Sequence, residues 1–174
     1  KSAAAEEALV WITSKSPTNE MDEARSILNR DFLGSAKLGP AISQQGNLWL
    51  SPDAEIFLRG VLANSPHPAV QAHAAFTLAK FLKRRASMIR SYQRVGEGGV
   101  PQAQKEAMFR NFDRAYGKGW RELLIKADPP SIDREADALF GRVTRDYGDL
   151  IHDDGNGRRA AFRDLVAEYL KRKK

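Results

Sequence analysis

A chain of 174 residues, 42% of them hydrophobic, is long enough to bury one core as a single domain; if it divides, the break falls at 95–101 and separates 1–94 from 101–174. It has no Cys, which excludes disulfides, thiolate nucleophiles, thiolate metal sites and Cys-x-x-Cys redox motifs within these residues. The 28 Lys and Arg against 22 Asp and Glu leave a net charge of +6, which suits nucleic acid, anionic lipid or an acidic protein only in a general way.

In chain order the patterns are helical. Ala5, Ala8, Leu9 and Ile12 mark a first apolar stripe, and Met21, Ala24, Leu28 and Phe32 mark a second, started by Ser16-Pro17 and closed by Gly34. Residues 35–45 read as a short third helix ended by Gly46. Ser51 as N-cap with Pro52 at the first helical position opens a fourth over 52–63, with Phe57, Leu58, Val61 and Leu62 on one face. The joint Asn64-Ser65-Pro66-His67-Pro68 stops it, because two prolines remove amide donors and fix φ. A long fifth helix follows from 69 to about 94, carrying Val70, Ala74, Leu78, Phe81 and Leu82 and then Ala86, Ile89 and Tyr92.

Val95 to Pro101, rich in glycine, breaks that helix. Residues 102–116 place Met108, Phe112 and Tyr116 together, and 119–127 place Trp120, Leu123, Leu124 and Ala127 together. Asp128-Pro129-Pro130 is the next stop, with Ser131 as the expected cap of a helix bearing Ala136, Leu139, Phe140, Val143 and Tyr147 at i, i+3, i+4, i+7 spacing. After the acidic turn 149–157, a last helix carries Phe162, Leu165, Val166, Tyr169 and Leu170. No segment alternates apolar and polar residues as a half-buried strand does. The expected fold is therefore all-α, an irregular α-solenoid or bundle of about eight or nine helices in antiparallel hairpins. The segment ADALFGRVTRDYGD looks like the second half of a tetratricopeptide-type hairpin and 68–82 like a HEAT-type helix, but no strict repeat is met.

The run FLRGVLANSPHPAVQAHAAFTLAKFLK, followed after an insertion by EADALFGRVTRDYGD and a closing helix, resembles the helical region that precedes the thioredoxin-like domain in a group of bacterial redoxin, or thiol-disulfide oxidoreductase-like, proteins. The resemblance covers residues 1–82 and 131–170 and rests on helical packing positions. It implies an accessory helical domain of an exported, envelope-associated bacterial protein. The family's redox chemistry is not carried over, since no thioredoxin-like fold or Cys pair is present in these residues. The start without Met and the ending on Lys171-Arg172-Lys173-Lys174 read as a mature form or a fragment of a longer product.

Candidate sites are few. His67 lies between prolines as a loop or N-cap residue, His73 within a helix and His152 in a turn, so no metal site is expected from three dispersed imidazoles. The turn at 149–157 fails the calcium-loop template at Ile151, and Gly96-Glu97-Gly98-Gly99 lacks the Lys-Ser/Thr ending of a phosphate loop. Asp133 and Asp137, interleaved with Arg134 and Arg142, read as surface charge. Trp11 and Trp120 are expected in the core, while Trp49, just before a capped helix, is expected either to staple that helix or to stand exposed. Lys83, Arg84, Arg85, Arg90 and Arg94 extend along the long helix without an intervening acid, and Arg158, Arg159, Arg163 and Lys171 to Lys174 mark the C-terminal segment. Solvated helix faces are the simpler reading of both.

No apolar run approaches the roughly 20 residues needed to cross a bilayer. Taken together, the sequence leads to a non-catalytic scaffold or protein-interaction domain, without cofactor or metal, whose partner is a protein or an adjacent thioredoxin-like domain. The alternative is a nucleic-acid or anionic-surface binding domain using the basic clusters 83–94 and 158–174. Trp49, Arg84, Arg85, Arg90 and Arg94 are the candidate interaction residues.

Overall fold

The computed structural model describes residues 2–14, 19–45, 51–96, 101–116, 126–153 and 159–172. Among them it contains eight helices: α1 (Ala3–Thr13), α2 (Asn19–Asp31), α3 (Gly39–Gln45), α4 (Pro52–Asn64), α5 (Pro68–Gly96), α6 (Gln102–Tyr116), α7 (Pro129–Tyr147) and α8 (Phe162–Lys171). The fold is all-α in class. Among the described residues the one sheet is an antiparallel pair, β1 (Ile151–Asp153) and β2 (Arg159–Ala161), in the register Ile151↔Ala161, His152↔Ala160, Asp153↔Arg159. That pair corrects the expectation of no strands and of a plain solvated turn after α7. Strands of three residues are too short to display the period of two by which strands are recognised.

Local chemistry explains most boundaries. The Ser51 hydroxyl accepts from the Ala54 amide at 3.2 Å, and Pro52 preorganises the first turn of α4. At the α4–α5 joint the Ser65 amide still donates to the Val61 carbonyl at 3.0 Å, and the His67 carbonyl accepts from Gln71 at 3.0 Å as α5 begins. Two starts differ from expectation. α3 begins at Gly39 because 35–38 form turns, with the Lys37 amide donating to the Ser35 hydroxyl at 2.9 Å. α7 begins at Pro129 with Asp128 in the cap position instead of Ser131, since proline is already held at helical φ at the first position of a helix. The helix expected at 119–127 falls almost wholly outside the described residues, as do Ser16-Pro17 and the expected stops at Gly46 and 97–100.

α5 organises the molecule because opposite faces of it are buried. Val70, Ala74, Leu78, Phe81 and Leu82 pack with Leu28 of α2, Leu38 and Ile42 of α3, and Phe57, Leu58 and Val61 of α4. On its other side Ala72, Ala75, Phe76 and Ala79 meet Phe140, Val143 and Tyr147 of α7 and Phe162, Leu165 and Val166 of α8. Small alanines there let α7 approach, and α5 against α7 is the broadest seam of the fold. Beyond it, Ile89 is buried with Tyr92, Phe109 of α6, and Ile132. Each large buried side chain contributes about 1.5–3 kcal/mol relative to exposure, so two such clusters on one helix account for its length.

The first helix is the least well anticipated. Ala5 and Ala8 are exposed, and Leu9, Val10 and Thr13 face inward. Thr13 is fully buried because its hydroxyl donates to the carbonyls of Leu9 (2.9 Å) and Val10 (3.0 Å), which satisfies the polar group inside the helix itself. With those positions inward, Trp11 falls on the opposite side and is 62% exposed, correcting its expected place in the core.

Candidate functional site

The basic side chains of α5 do not form one open patch. Arg85 pairs with Glu55 of α4 and lays its guanidinium 4.6 Å from the centre of the Phe81 ring. Arg90 pairs with Asp133 of α7, and the Lys83 ammonium lies 3.3 Å from Asp133 and 2.7 Å from Asp137. Arg59 of α4 bridges Glu55 at 2.9 Å and Glu135 at 2.7 Å. Carboxylates absent from α5 itself thus arrive from α4 and α7, and Asp133 and Asp137 hold a helix seam where surface charge was expected. Burial raises the Glu55 carboxyl, but Arg85 and Arg59 together outweigh it and hold that carboxyl below its ordinary value. Arg84 and Arg94 are exposed. In the C-terminal segment Arg163 pairs with Asp149 and Arg172 with Glu168, while Arg159 and Lys171 are exposed. Trp49, Trp120, Arg158, Lys173 and Lys174 lie outside the described residues.

What the fold brings together instead is a pair of histidines. His73 on α5 and His152 on β1, 79 positions apart, place Nε2 and Nδ1 2.8 Å from each other, with ring centres 4.3 Å apart. The Phe162 ring lies edge-on to His73 at 5.3 Å and tilted to His152 at 5.5 Å. A nitrogen-to-nitrogen hydrogen bond requires one ring to donate and the other to accept, so the pair is held with at least one neutral imidazole. Burial, then His152 and Lys80, lower His73 to a pKa of about 4. The third histidine, His67, is separate: its Nε2 lies 3.0 Å from the Gly34 carbonyl and its amide donates to the Ser65 hydroxyl at 3.3 Å.

Beside the histidine pair, between α5, β1 and α8, is a cavity of about 190 Å³ lined by Phe76, Lys80, His152, Leu165, Glu168, Tyr169 and Arg172. Phe76 and Lys80 project from successive turns of α5; Leu165, Glu168, Tyr169 and Arg172 share one face of α8 at helical spacing. The Lys80 ammonium sits 4.9 Å from the centre of the Phe76 ring and has no hydrogen bond or ion pair among the described residues. Burial lowers its pKa. Burial also raises the Tyr169 phenol, against the opposing pull of Lys83 and Arg84. No group of three His, Asp or Glu suited to a metal ion occurs among the described residues. No described helix is long and apolar enough to cross a membrane.

Sequence reasoning missed this site because its two halves are far apart in the chain. The one available signal was His73 itself, a polar residue set between Ala72 and Phe76 on an otherwise apolar face. Comparison with protein-family models, curated proteins and solved structures finds no match to this chain.

Proposed function

We propose that this protein is a non-catalytic helical scaffold or protein-interaction domain, accessory to a thioredoxin-like domain in a bacterial envelope protein. The observation that carries the reading is the engagement of Lys83, Arg85 and Arg90 of α5 by Glu55, Asp133 and Asp137, which makes these three cations ties between helices. The accessory role rests on the resemblance of segments 57–83 and 135–149 to helical regions that precede redoxin domains.

Two measurements test it. Labelled duplex and single-stranded DNA are titrated into the protein at low and physiological salt. Weak binding that vanishes with salt is expected, because only counterion release would drive it. Retained affinity on the order of 10⁻⁷ M at physiological salt, lost on changing Arg84, Arg85 and Arg90 to Glu, would favour the nucleic-acid reading of clusters 83–94 and 158–174 instead. Peptide mapping of the native polypeptide from its cells tests the accessory role. Thioredoxin-like sequence continuous with Lys174 is expected, and a native chain without it would overturn that part.

A further inference from the structure

We propose that the cavity between α5, β1 and α8 is a binding site for a small monocarboxylate with a short apolar body, held through Lys80. Charge is the first ground. An ammonium withdrawn from water is ordinarily paired, because losing hydration without a counter-ion is costly. Lys80 is half-buried, rests against the Phe76 ring, and has no carboxylate or other hydrogen-bonding partner among the described residues. Its natural complement is an anion that enters the cavity.

The lining selects the class of anion. Glu168 is on the cavity wall but is taken by Arg172, one turn further along α8, so that pair contributes no net charge. His152 shares its Nδ1 with neutral His73. Among the described lining residues the charges of Lys80, Glu168 and Arg172 sum to one positive, carried by Lys80, which matches a carboxylate better than a phosphate dianion. Phe76, Leu165 and the Tyr169 ring make the remaining wall apolar, suited to a hydrocarbon body. A volume of about 190 Å³ admits only a compact ligand, well below the 300–1,000 Å³ or so of pockets for drug-sized molecules. The site is independent of the scaffold reading and of the α5–α7 ion pairs.

The test uses isobutyrate, benzoate, N-acetyl-leucine and inorganic phosphate as probes, followed by nuclear magnetic resonance on isotope-labelled protein. Saturable shifts at Lys80, His152 and Tyr169 are expected for isobutyrate or benzoate with millimolar affinity, and weaker binding of phosphate. His73 supplies a separate readout. It is lowered in part by Lys80, so a bound carboxylate should raise its titration midpoint above about 4. Lys80→Met keeps the hydrocarbon stem against Phe76 and should weaken binding about tenfold or more. Glu168→Gln removes the one carboxylate among the described wall residues and should tighten it roughly threefold. If Lys80→Met does not fold, Glu168→Gln alone decides. Equal binding by the wild type and Lys80→Met, weaker binding by Glu168→Gln, or no saturable shift would overturn the proposal. Tighter binding of N-acetyl-leucine would overturn the assignment to a free small acid, because that probe mimics a chain terminus.

Discussion

The two sides of α5 are built differently. Toward α2, α3 and α4 the helix meets a mainly aliphatic cluster that includes Phe57 and Phe81, with Arg85 paired to Glu55 at its rim and Arg25 of α2 and Gln45 of α3 buried on the same side. Toward α7, α8 and the hairpin it meets aromatic rings, Phe76 against Phe140 and Phe162 at 6.1 Å each, with two imidazoles and a lysine drawn in among them. The first side keeps its buried polar groups on partners in the same helix or at a neighbouring helix cap, Gln45 donating to the Ala41 carbonyl at 2.7 Å and Arg25 pairing with Asp22 and donating to the Ser51 hydroxyl at 3.0 Å. The other contains a cavity and polar groups whose burial costs stability, and such sites persist where something other than packing is served.

The sharpest way to break this contrast is to empty each side in turn. Phe57→Ala and Phe140→Ala both remove fully or nearly fully buried rings and are each expected to cost about 3–5 kcal/mol in urea unfolding. Only Phe140→Ala should also disturb the Tyr169 ring, which lies 5.2 Å from it, and with it the cavity. A loss below about 1 kcal/mol at either position would show that its cluster is loosely packed.

Acid should separate the sides next. His73 titrates near 4 when folded and near 6.5 when unfolded, so between those values the unfolded chain binds the extra proton. The stability this represents is complete above about pH 6.5 and drains away as pH falls toward 4, by at most about 3 kcal/mol. His73→Leu should flatten that part of the profile in unfolding curves at pH 7, 5.5 and 4.5; an unchanged slope would mean the imidazole is not shielded.

On the aliphatic side the corresponding group is Glu55, and its window is lower. Its depressed folded pKa gives stability that is present above about 4.3 and lost as pH falls through the folded value. Glu55→Gln should cost about 1–2 kcal/mol at pH 7, since it leaves Arg85 and Arg59 without their shared carboxylate. The smallest effect is expected at Trp11→Ala, under about 1 kcal/mol, because most of that ring is in solvent. A larger loss would restore Trp11 to the core.

The joint between α4 and α5 shows why one side was more legible than the other. Ser51, Pro52, Pro66 and Pro68 act through their own backbone and their nearest neighbours, so α4 and the start of α5 could be read residue by residue. The apolar stripes of α2, α4, α5, α7 and α8 were likewise legible, because burial of a helix face leaves a period of 3.6 in the residues themselves. Where a polar residue satisfied itself within the helix, as Thr13 does, the stripe was misplaced and Trp11 with it.

Thus the sequence by itself determined the helical class, most helix limits and the inward faces of most helices, since these follow from local hydrogen bonding and from periodic hydrophobicity. Only the tertiary structure decided which charges are tied down and which group is left without a partner. Asp133 and Asp137 reach the cations of α5 from some 40 or 50 positions away, and His152 reaches His73 across 79. Among the described residues Lys80 has no counter-ion, while Glu168 on the same cavity wall pairs with Arg172. Such pairings depend on where whole helices dock, and no periodicity within a single segment encodes that.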